Sequence, residues 1–562
     1  MASPTVAPYG SWKSPITADT VAGGEVGLEQ IRLDGDAVYW IERRSQEGGR
    51  KVLVRSSPDG TITDMTPVGF NARTRVHEYG GGDYAVSDGM IIFSNFADQR
   101  LYLQRPASEP KPLTPPAELR YADGVIDRGR NLLFCVREDH TGQGEPINSL
   151  VSIDLLEGGP GRVLVSGNDF YSSPRLSPDG SQLAWLTWNH PNMPWDGTEL
   201  WMGNLNEDGS LDKPPRVAGG IKESIFQPEW SPEGILYFVS DRSGWWNLYR
   251  WRDKKIEALC SMDAEFGQPQ WVFASALYGF ASERRIVCSY TKNGRDYLAT
   301  LDALIGELKP VELPFTAISQ VRVASDCVVF IGASSTEPTA IVSLNLATRK
   351  MEVLRRSREI TVDAGYFAHP QALEFPTEGG LTAHGHFYPP QNRDHVAPAN
   401  ERPPLLVMSH GGPTSASSAS LKYAILYWTS RGIAVLDVNY GGSSGYGREY
   451  RERLKGQWGV VDVDDCVNGA RYLVEHGDVD GSRLAIRGGS AGGYTTLCAL
   501  TFRDVFKAGA SHYGISDLEA LAQDTHKFES RYLDSLIGPY PKRRDLYVDD
   551  PRFIIPIAWP VR

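Results

Sequence analysis

From about residue 25 to residue 355 the apolar positions fall in short bursts, and almost nowhere at helical spacing. Residues 37–41, 89–94, 132–136, 182–187, 235–240 and 327–332 are such bursts, separated by turns of Gly, Pro, Asp and Ser. Runs of this length between turn residues predict strands, so this half is expected to be all-β. Within it a degenerate unit recurs. Pro174-Arg175-Leu176-Ser177-Pro178-Asp179-Gly180 precedes one apolar strand, Pro228-Glu229-Trp230-Ser231-Pro232-Glu233-Gly234 precedes another, and Gln268-Pro269-Gln270-Trp271 is a third echo. The steps from Leu176 to Trp230 and from Trp230 to Trp271 are 54 and 41 residues. Both lie near the ~40 to 50 residues of a four-stranded propeller blade. A segment of this length then holds about seven blades, with a pair of β-sandwiches as the alternative. Pro presets φ and Gly accepts a positive φ in the Ser-Pro-Asp-Gly turn.

From about residue 356 the pattern changes to strands alternating with helices. Residues 405–408 and 432–438 are nearly continuous apolar runs, as expected of parallel strands covered on both faces. Val463, Cys466, Val467, Ala470, Leu473 and Val474 fall on one helix face, with Gly477 just past its end. Asp462, Asp464 and Asp465 stand at its start, where carboxylates suit the positive end of the helix dipole; that reading is preferred to a metal site. The expected organisation is a β-propeller over residues 1–355, including an N-terminal extension 1–24, and an α/β domain over residues 356–562.

Composition narrows the function. The chain has 562 residues, 41% of them hydrophobic and 22% charged. No apolar run approaches the roughly 20 residues of a membrane helix, and the first residues show no secretory signal, so cytoplasm is the expected compartment and no membrane partner is expected. A formal charge of −12 argues against nucleic-acid binding. The six cysteines are scattered and favour reduced thiols over a disulfide frame or zinc site. No cofactor or metal is expected, and association between copies of the chain is left open.

The chemistry is announced by Gly488-Gly489-Ser490-Ala491-Gly492-Gly493, placed where an apolar strand runs into a helix-forming segment. Small residues around a serine in this context form a nucleophile elbow, a tight turn that lifts the hydroxyl into a cleft at the head of a helix. Acyl transfer also needs donors for the developing oxyanion. The amide of Ala491 is one candidate. The loop His410-Gly411-Gly412-Pro413, leaving the strand at 405–408, offers another. His410 is read as shaping this loop and not as the general base.

These segments, with Asn439-Tyr440-Gly441-Gly442-Ser443-Ser444-Gly445-Tyr446-Gly447, Gly456-Gln457-Trp458-Gly459 and the upstream Val76-His77-Glu78-Tyr79-Gly80-Gly81-Gly82, resemble the prolyl oligopeptidase family of serine peptidases. The acylaminoacyl peptidase and dipeptidyl aminopeptidase-like branch is the most similar. The resemblance implies a propeller set over an α/β-hydrolase domain, with the propeller restricting entry to short peptides. It further implies Ser490 as nucleophile and the amides of Gly412 and Ala491 as the oxyanion hole. In that family the triad Asp and His follow the serine. Here 72 residues follow Ser490, and the only histidines among them, His512 and His526, match family positions that are not the base. The expectation is therefore an α/β-hydrolase fold incomplete at its C-terminus, in a shortened peptidase with impaired activity. Asp517 and Asp524 are read as a helix cap and a surface charge. Arg448, Arg451 and Arg453 are read as solvated or as meeting a substrate carboxylate, and Tyr446, Tyr450 and Trp458 as pocket-lining or packed. An esterase acting on small acyl esters and a non-catalytic propeller that binds peptides or partners are the alternatives.

Overall fold

A computed structural model describes residues 3–550. Seven separate four-stranded antiparallel sheets follow one another between Val26 and Arg356, each made of strands consecutive in sequence. Seven such sheets are the blades of a propeller and exclude the sandwich pair. Their innermost strands include Val26–Asp34, Leu119–Asp127, Phe170–Leu176, Ile225–Trp230 and Ala317–Ala324, in the first, third, fourth, fifth and seventh blades. Each of these five carries a bulge, with pairing interrupted between Glu29 and Arg32, Ala122 and Val125, Ser172 and Arg175, Phe226 and Glu229, and Ser319 and Arg322. A residue with positive φ sits at each bulge: Gln30, Asp123, Ser173, Gln227 and Gln320. A bulge re-aims the side chains that follow it.

The Ser-Pro-Asp-Gly turn is built as the sequence predicts. Gly180 has φ 72° and its N–H donates to the Ser177 carbonyl at 2.9 Å, while Asp179 accepts from Ser181 N at 3.0 Å. Among the described residues no strand is shared between the first and last blades. They close through packing of Leu28, Ile31, Trp40 and Val54 on Val329 and Ile341, and through buried Glu42, which Arg355 meets at 2.7 Å.

The α/β half has a six-stranded sheet. Its strands are β1 (Gln371–Pro376), β2 (Thr382–Tyr388), β3 (Leu405–Ser409), β4 (Ala434–Asn439), β5 (Leu484–Gly489) and β6 (Ala508–His512), in the order β1-β2-β4-β3-β5-β6. The strands β3 to β6 are mutually parallel, and Val407, Leu436 and Ile486 are fully buried, as apolar runs covered on both faces require. β6 lies at the sheet edge with all five residues exposed. The helices used below are α1 (Tyr423–Thr429), α2 (Gly447–Glu452), α3 (Val461–Glu475), α4 (Ala491–Phe502) and α5 (Leu518–Gln523).

Helix α3 buries Val463, Cys466, Val467, Ala470 and Leu473, the predicted face. The three aspartates at its start have separate partners. Asp462 accepts from Gly459 N and Thr495 Oγ1, Asp465 accepts from Gly441 N at 2.7 Å, and Asp464 pairs with Arg503 at 2.6 Å. Residues 5–22 run over the α/β half, where Thr5–Val6 pairs with His395–Val396 and Ile16 packs beside Tyr423 and Leu426 of α1.

The two halves are joined by ionic and aromatic contacts. Arg448 and Arg451 of α2 both reach Asp241 of the fifth blade, at 2.5 and 2.6 Å, and Arg451 stacks over Trp246. Neither arginine is the solvated or substrate-facing group the sequence suggested, because the carboxylate that holds them lies about 200 residues upstream. Arg453 donates to the Thr382 carbonyl at 2.7 Å. On the other side of the interface, Phe528 inserts among His77, Tyr79, Phe170, Trp188 and Trp271. Beside it Lys527 Nζ donates to the carbonyls of Pro146 and Asp169 at 2.8 and 2.9 Å.

Candidate active site

Ser490 stands between β5 and α4 with φ 55° and ψ −123°, a backbone conformation that a side-chain-bearing residue adopts only under strain. Its surroundings impose the conformation. Ser490 N donates to the His512 carbonyl on β6 at 3.0 Å, and the Ser490 carbonyl accepts from Gly493 N and Tyr494 N as the first turn of α4. The small residues around it are a packing requirement. A Cβ at Gly488 would lie 2.2 Å from the Gly492 carbonyl oxygen, and one at Gly492 would lie 2.2 Å from that of Ser409. The turn therefore presses directly on the end of β3, and the serine side chain is left exposed.

The amide of Ala491, at the first position of α4, has no partner within the helix and sits at its positive end. The His410-Gly411-Gly412-Pro413 loop is brought beside it by the parallel pairing of β3 with β5. Gly411 is the glycine that faces the serine: a Cβ there would be 3.4 Å from Ser490 Cβ and 3.9 Å from Oγ. Gly412, with φ 124°, follows in the same loop. Among the described residues, neither glycine amide donates to a protein acceptor.

His410 is fixed in place. The carbonyl of Gly411 can only accept, so Nδ1 donates to it at 2.8 Å, leaving Nε2 to accept from Ser443 Oγ at 2.7 Å. The ring stacks on Tyr440, and burial pushes its pKa down to about 4, so it is neutral near pH 7. Both ring nitrogens are thus engaged by neighbouring loop groups. His512 offers Ser490 only its backbone carbonyl, and His526 lies edge-on to Tyr79 with Nε2 3.7 Å from Glu529. Among the described residues no imidazole hydrogen-bonds to the Ser490 hydroxyl. Asp517 caps α5, accepting from Ala520 N at 2.9 Å, and Asp524 is exposed. No group of three or more His, Cys, Asp or Glu side chains is placed to hold a metal among the described residues. No helix among them is long and apolar enough to cross a membrane.

The loop is held from both halves, by Trp271 of the third propeller echo and by Tyr532 of the α/β half. Trp271 Nε1 donates to the Thr414 carbonyl at 2.7 Å, and Tyr532 OH contacts Thr414 N and Oγ1 at 3.2 and 2.5 Å. Trp195, Trp271 and Tyr532 form an aromatic wall with ring centroids 4.5 to 5.8 Å apart. Next to the loop, between the halves, lies a cavity of 320 Å³ lined by Trp271, Asp296, Thr414, Ser417, Asn439 and Tyr446 among others. Burial pushes Asp296 up to about 6, although it accepts from Thr291 Oγ1 and Ile318 N. Of the three aromatics singled out in the sequence, Tyr446 lines this cavity, whereas Tyr450 and Trp458 are buried packing groups.

Comparison with known proteins agrees with this geometry. The Prolyl oligopeptidase family matches residues 419–548. The crystal structure of puromycin hydrolase superposes with a TM-score of 0.92 at 40% identity, covering 98% of this chain and 86% of that one. Dipeptidyl aminopeptidase BIII of Pseudoxanthomonas mexicana is 34% identical over 24% of this chain and 19% of its own length. The Acylamino-acid-releasing enzyme of Arabidopsis thaliana is 34% identical over 24% of this chain and 20% of its own length. The matched stretches thus span about a fifth of these two curated relatives.

Proposed function

Because the chain belongs to the prolyl oligopeptidase family, we propose that it is a serine peptidase of short peptides with Ser490 as its nucleophile. The carrying observation is the strained Ser490 at the head of α4, with Gly411 so close that a Cβ there would stand 3.9 Å from its hydroxyl oxygen. In this reading the Ser490 oxygen attacks the scissile carbonyl carbon and gives up its proton to a general base. The carbonyl oxygen becomes the oxyanion of a tetrahedral intermediate and accepts from the amides of Ala491 and Gly412; the C–N bond then breaks, the amine leaves with the proton returned by the base, and the acyl-enzyme that remains is hydrolysed by water. Gly411, the nearer glycine, gives the loop its close approach. The propeller, taken as residues 1–355, limits access to the catalytic unit, residues 356–562. The six thiols, all unpaired, support a cytoplasmic setting.

The test is hydrolysis of p-nitroanilides bearing a free aminoacyl, a dipeptidyl or an N-acetylaminoacyl group, alongside p-nitrophenyl acetate. Amide cleavage that falls about a thousandfold or more in Ser490→Ala is the expected result. Cleavage of the ester alone assigns an esterase. Peptide binding without turnover, unchanged in Ser490→Ala, overturns the peptidase reading in favour of a binding protein.

A further inference from the structure

The propeller channel has a second end. The hydrolase meets the segments that lead into the inner strands: Asp169 takes Lys527, Asp241 beside Ser224 takes Arg448, and Thr316 donates to the Ala419 carbonyl. Those strands then run past their bulges to the opposite end, where the fourth- and fifth-blade strands enter their Ser-Pro turns. There a cavity of 350 Å³ is lined by Pro178 and Pro232 of those turns and by Arg32, Glu229, Tyr278 and Arg322 among others. Arg32, Arg175, Glu229 and Arg322 each stand where pairing resumes after a bulge, in the first, fourth, fifth and seventh blades. The bulges therefore gather three guanidinium groups on the propeller axis.

Their partners are unequally shared. Arg175 takes both nearby carboxylates, Asp123 at 3.3 Å and Glu229 at 3.7 Å. Arg322 donates only to backbone, to the carbonyls of Ile31 and Ala274 at 2.9 and 3.0 Å. The Arg32 side chain makes no hydrogen bond or ion pair among the described residues, and its Nη2 is nevertheless shielded from solvent. Two guanidinium groups facing one cavity thus lack a carboxylate. Burying a charge without a counter-charge is costly, and a guanidinium fork matches a planar carboxylate in two parallel bonds. Burial first, and then the neighbouring Arg32, pull the Arg322 pKa down to about 9, with Glu229 offsetting them only in part.

We propose that this distal cavity is a carboxylate-binding site in which Arg32 and Arg322 hold the anion and the aromatic lining of Tyr278, Phe280 and Trp230 receives the group attached to it. Glu229 is the one carboxylate in the lining; it limits the site to a single negative charge and disfavours dianions. The site is remote from Ser490 and independent of the peptidase reading.

The probes are phenylacetate, its neutral counterpart phenylacetamide, and inorganic phosphate, titrated into the full chain by calorimetry and thermal shift. Phenylacetate is expected to bind and raise the melting temperature, with phenylacetamide at least tenfold weaker. Arg32→Gln, which breaks no protein hydrogen bond, should weaken phenylacetate tenfold or more. Glu229→Gln, which removes the competing charge, should tighten it severalfold. Equal binding of acid and amide, or an acid preference unchanged in Arg32→Gln, overturns the proposal. So does Arg32-dependent uptake of phosphate with no uptake of phenylacetate, which would make the site a phosphate site. Loss of peptidase activity with phenylacetate binding intact leaves this site standing, and the reverse leaves the peptidase standing.

Discussion

A methyl group at position 492 has nowhere to go: it would lie 2.2 Å from the Ser409 carbonyl oxygen and 2.7 Å from that of His410, both backbone atoms. Gly492→Ala must therefore push the His410-Gly411-Gly412-Pro413 loop away from the elbow or distort α4. A loss of about 1–3 kcal/mol or more in stability is expected, together with loss of any Ser490-dependent turnover, read by denaturant unfolding and amide hydrolysis. Ser490→Gly should act in the opposite direction on stability. Glycine tolerates φ 55° and ψ −123° where serine is strained, so the variant should be dead yet more stable by about 1 kcal/mol. An unchanged or lower unfolding free energy would show that the elbow stores no strain. The elbow was legible in the sequence because its constraints are local: a strand, small residues around a serine, and a helix. The His410-Gly411-Gly412-Pro413 segment was legible only as a loop. Which of its two glycines faces the serine depends on the pairing of β3 with β5, and that pairing puts Gly411 nearest.

At the scale of elements, α3 and α4 are tied beneath the elbow by one buried hydrogen bond, from Thr495 Oγ1 to Asp462. Burial pushes the Asp462 carboxyl up to about 7, and Gly459 N supplies its other donor. Thr495→Val keeps the shape of the side chain and removes the donor, leaving a buried carboxyl half satisfied. A loss of about 1–3 kcal/mol is expected, measurable as a lower midpoint in urea; a change within error would mean that the bond contributes nothing net. The helix face of α3 and the propeller repeat could be read ahead of the structure because each has a period that its burial enforces. The segment around Phe528 could not. It reads as an insertion after β6, yet it presents one aromatic side chain to five rings of the propeller, and no local pattern encodes a partner 250 to 450 residues away. The N-terminal segment is similar: its two-residue strand pairs with His395–Val396, a long-range match with no periodic signal.

For the whole molecule, the interface between the halves turns on a buried acid. Glu265 is 1% exposed and accepts from Trp246 N at 2.7 Å within the propeller and from Gly447 N at 3.1 Å at the start of α2. The charges facing it are Arg451, 3.7 Å away, and Asp241, which itself holds Arg448 and Arg451. Burial, partly offset by Arg451, pushes Glu265 up to about 7. The sign of its effect follows from linkage. An unfolded chain releases this proton near the ordinary glutamate value of about 4.3, whereas the folded chain keeps it until about pH 7. Between those values the native state binds more protons, so the contribution of Glu265 to stability is largest below pH 4 and is lost as pH rises to about 7. Glu265→Gln removes that titration and keeps an acceptor oxygen for only one of the two amides, a cost that does not vary with pH and so shifts the whole comparison by a constant. The melting temperature of the wild type, taken relative to Glu265→Gln, should therefore fall from pH 5 to pH 8, and comparing the two proteins cancels the opposing titration of buried His77 and His410. If docking of α2 against the fifth blade is the structural consequence, proteolysis in the segment that joins the halves, residues 357–370, should quicken over the same range in the wild type and stay constant in the variant. A difference in melting temperature that is flat with pH would show that Glu265 stays charged in the folded state, paired with Arg451, and that the two halves are held together by a permanent ion pair.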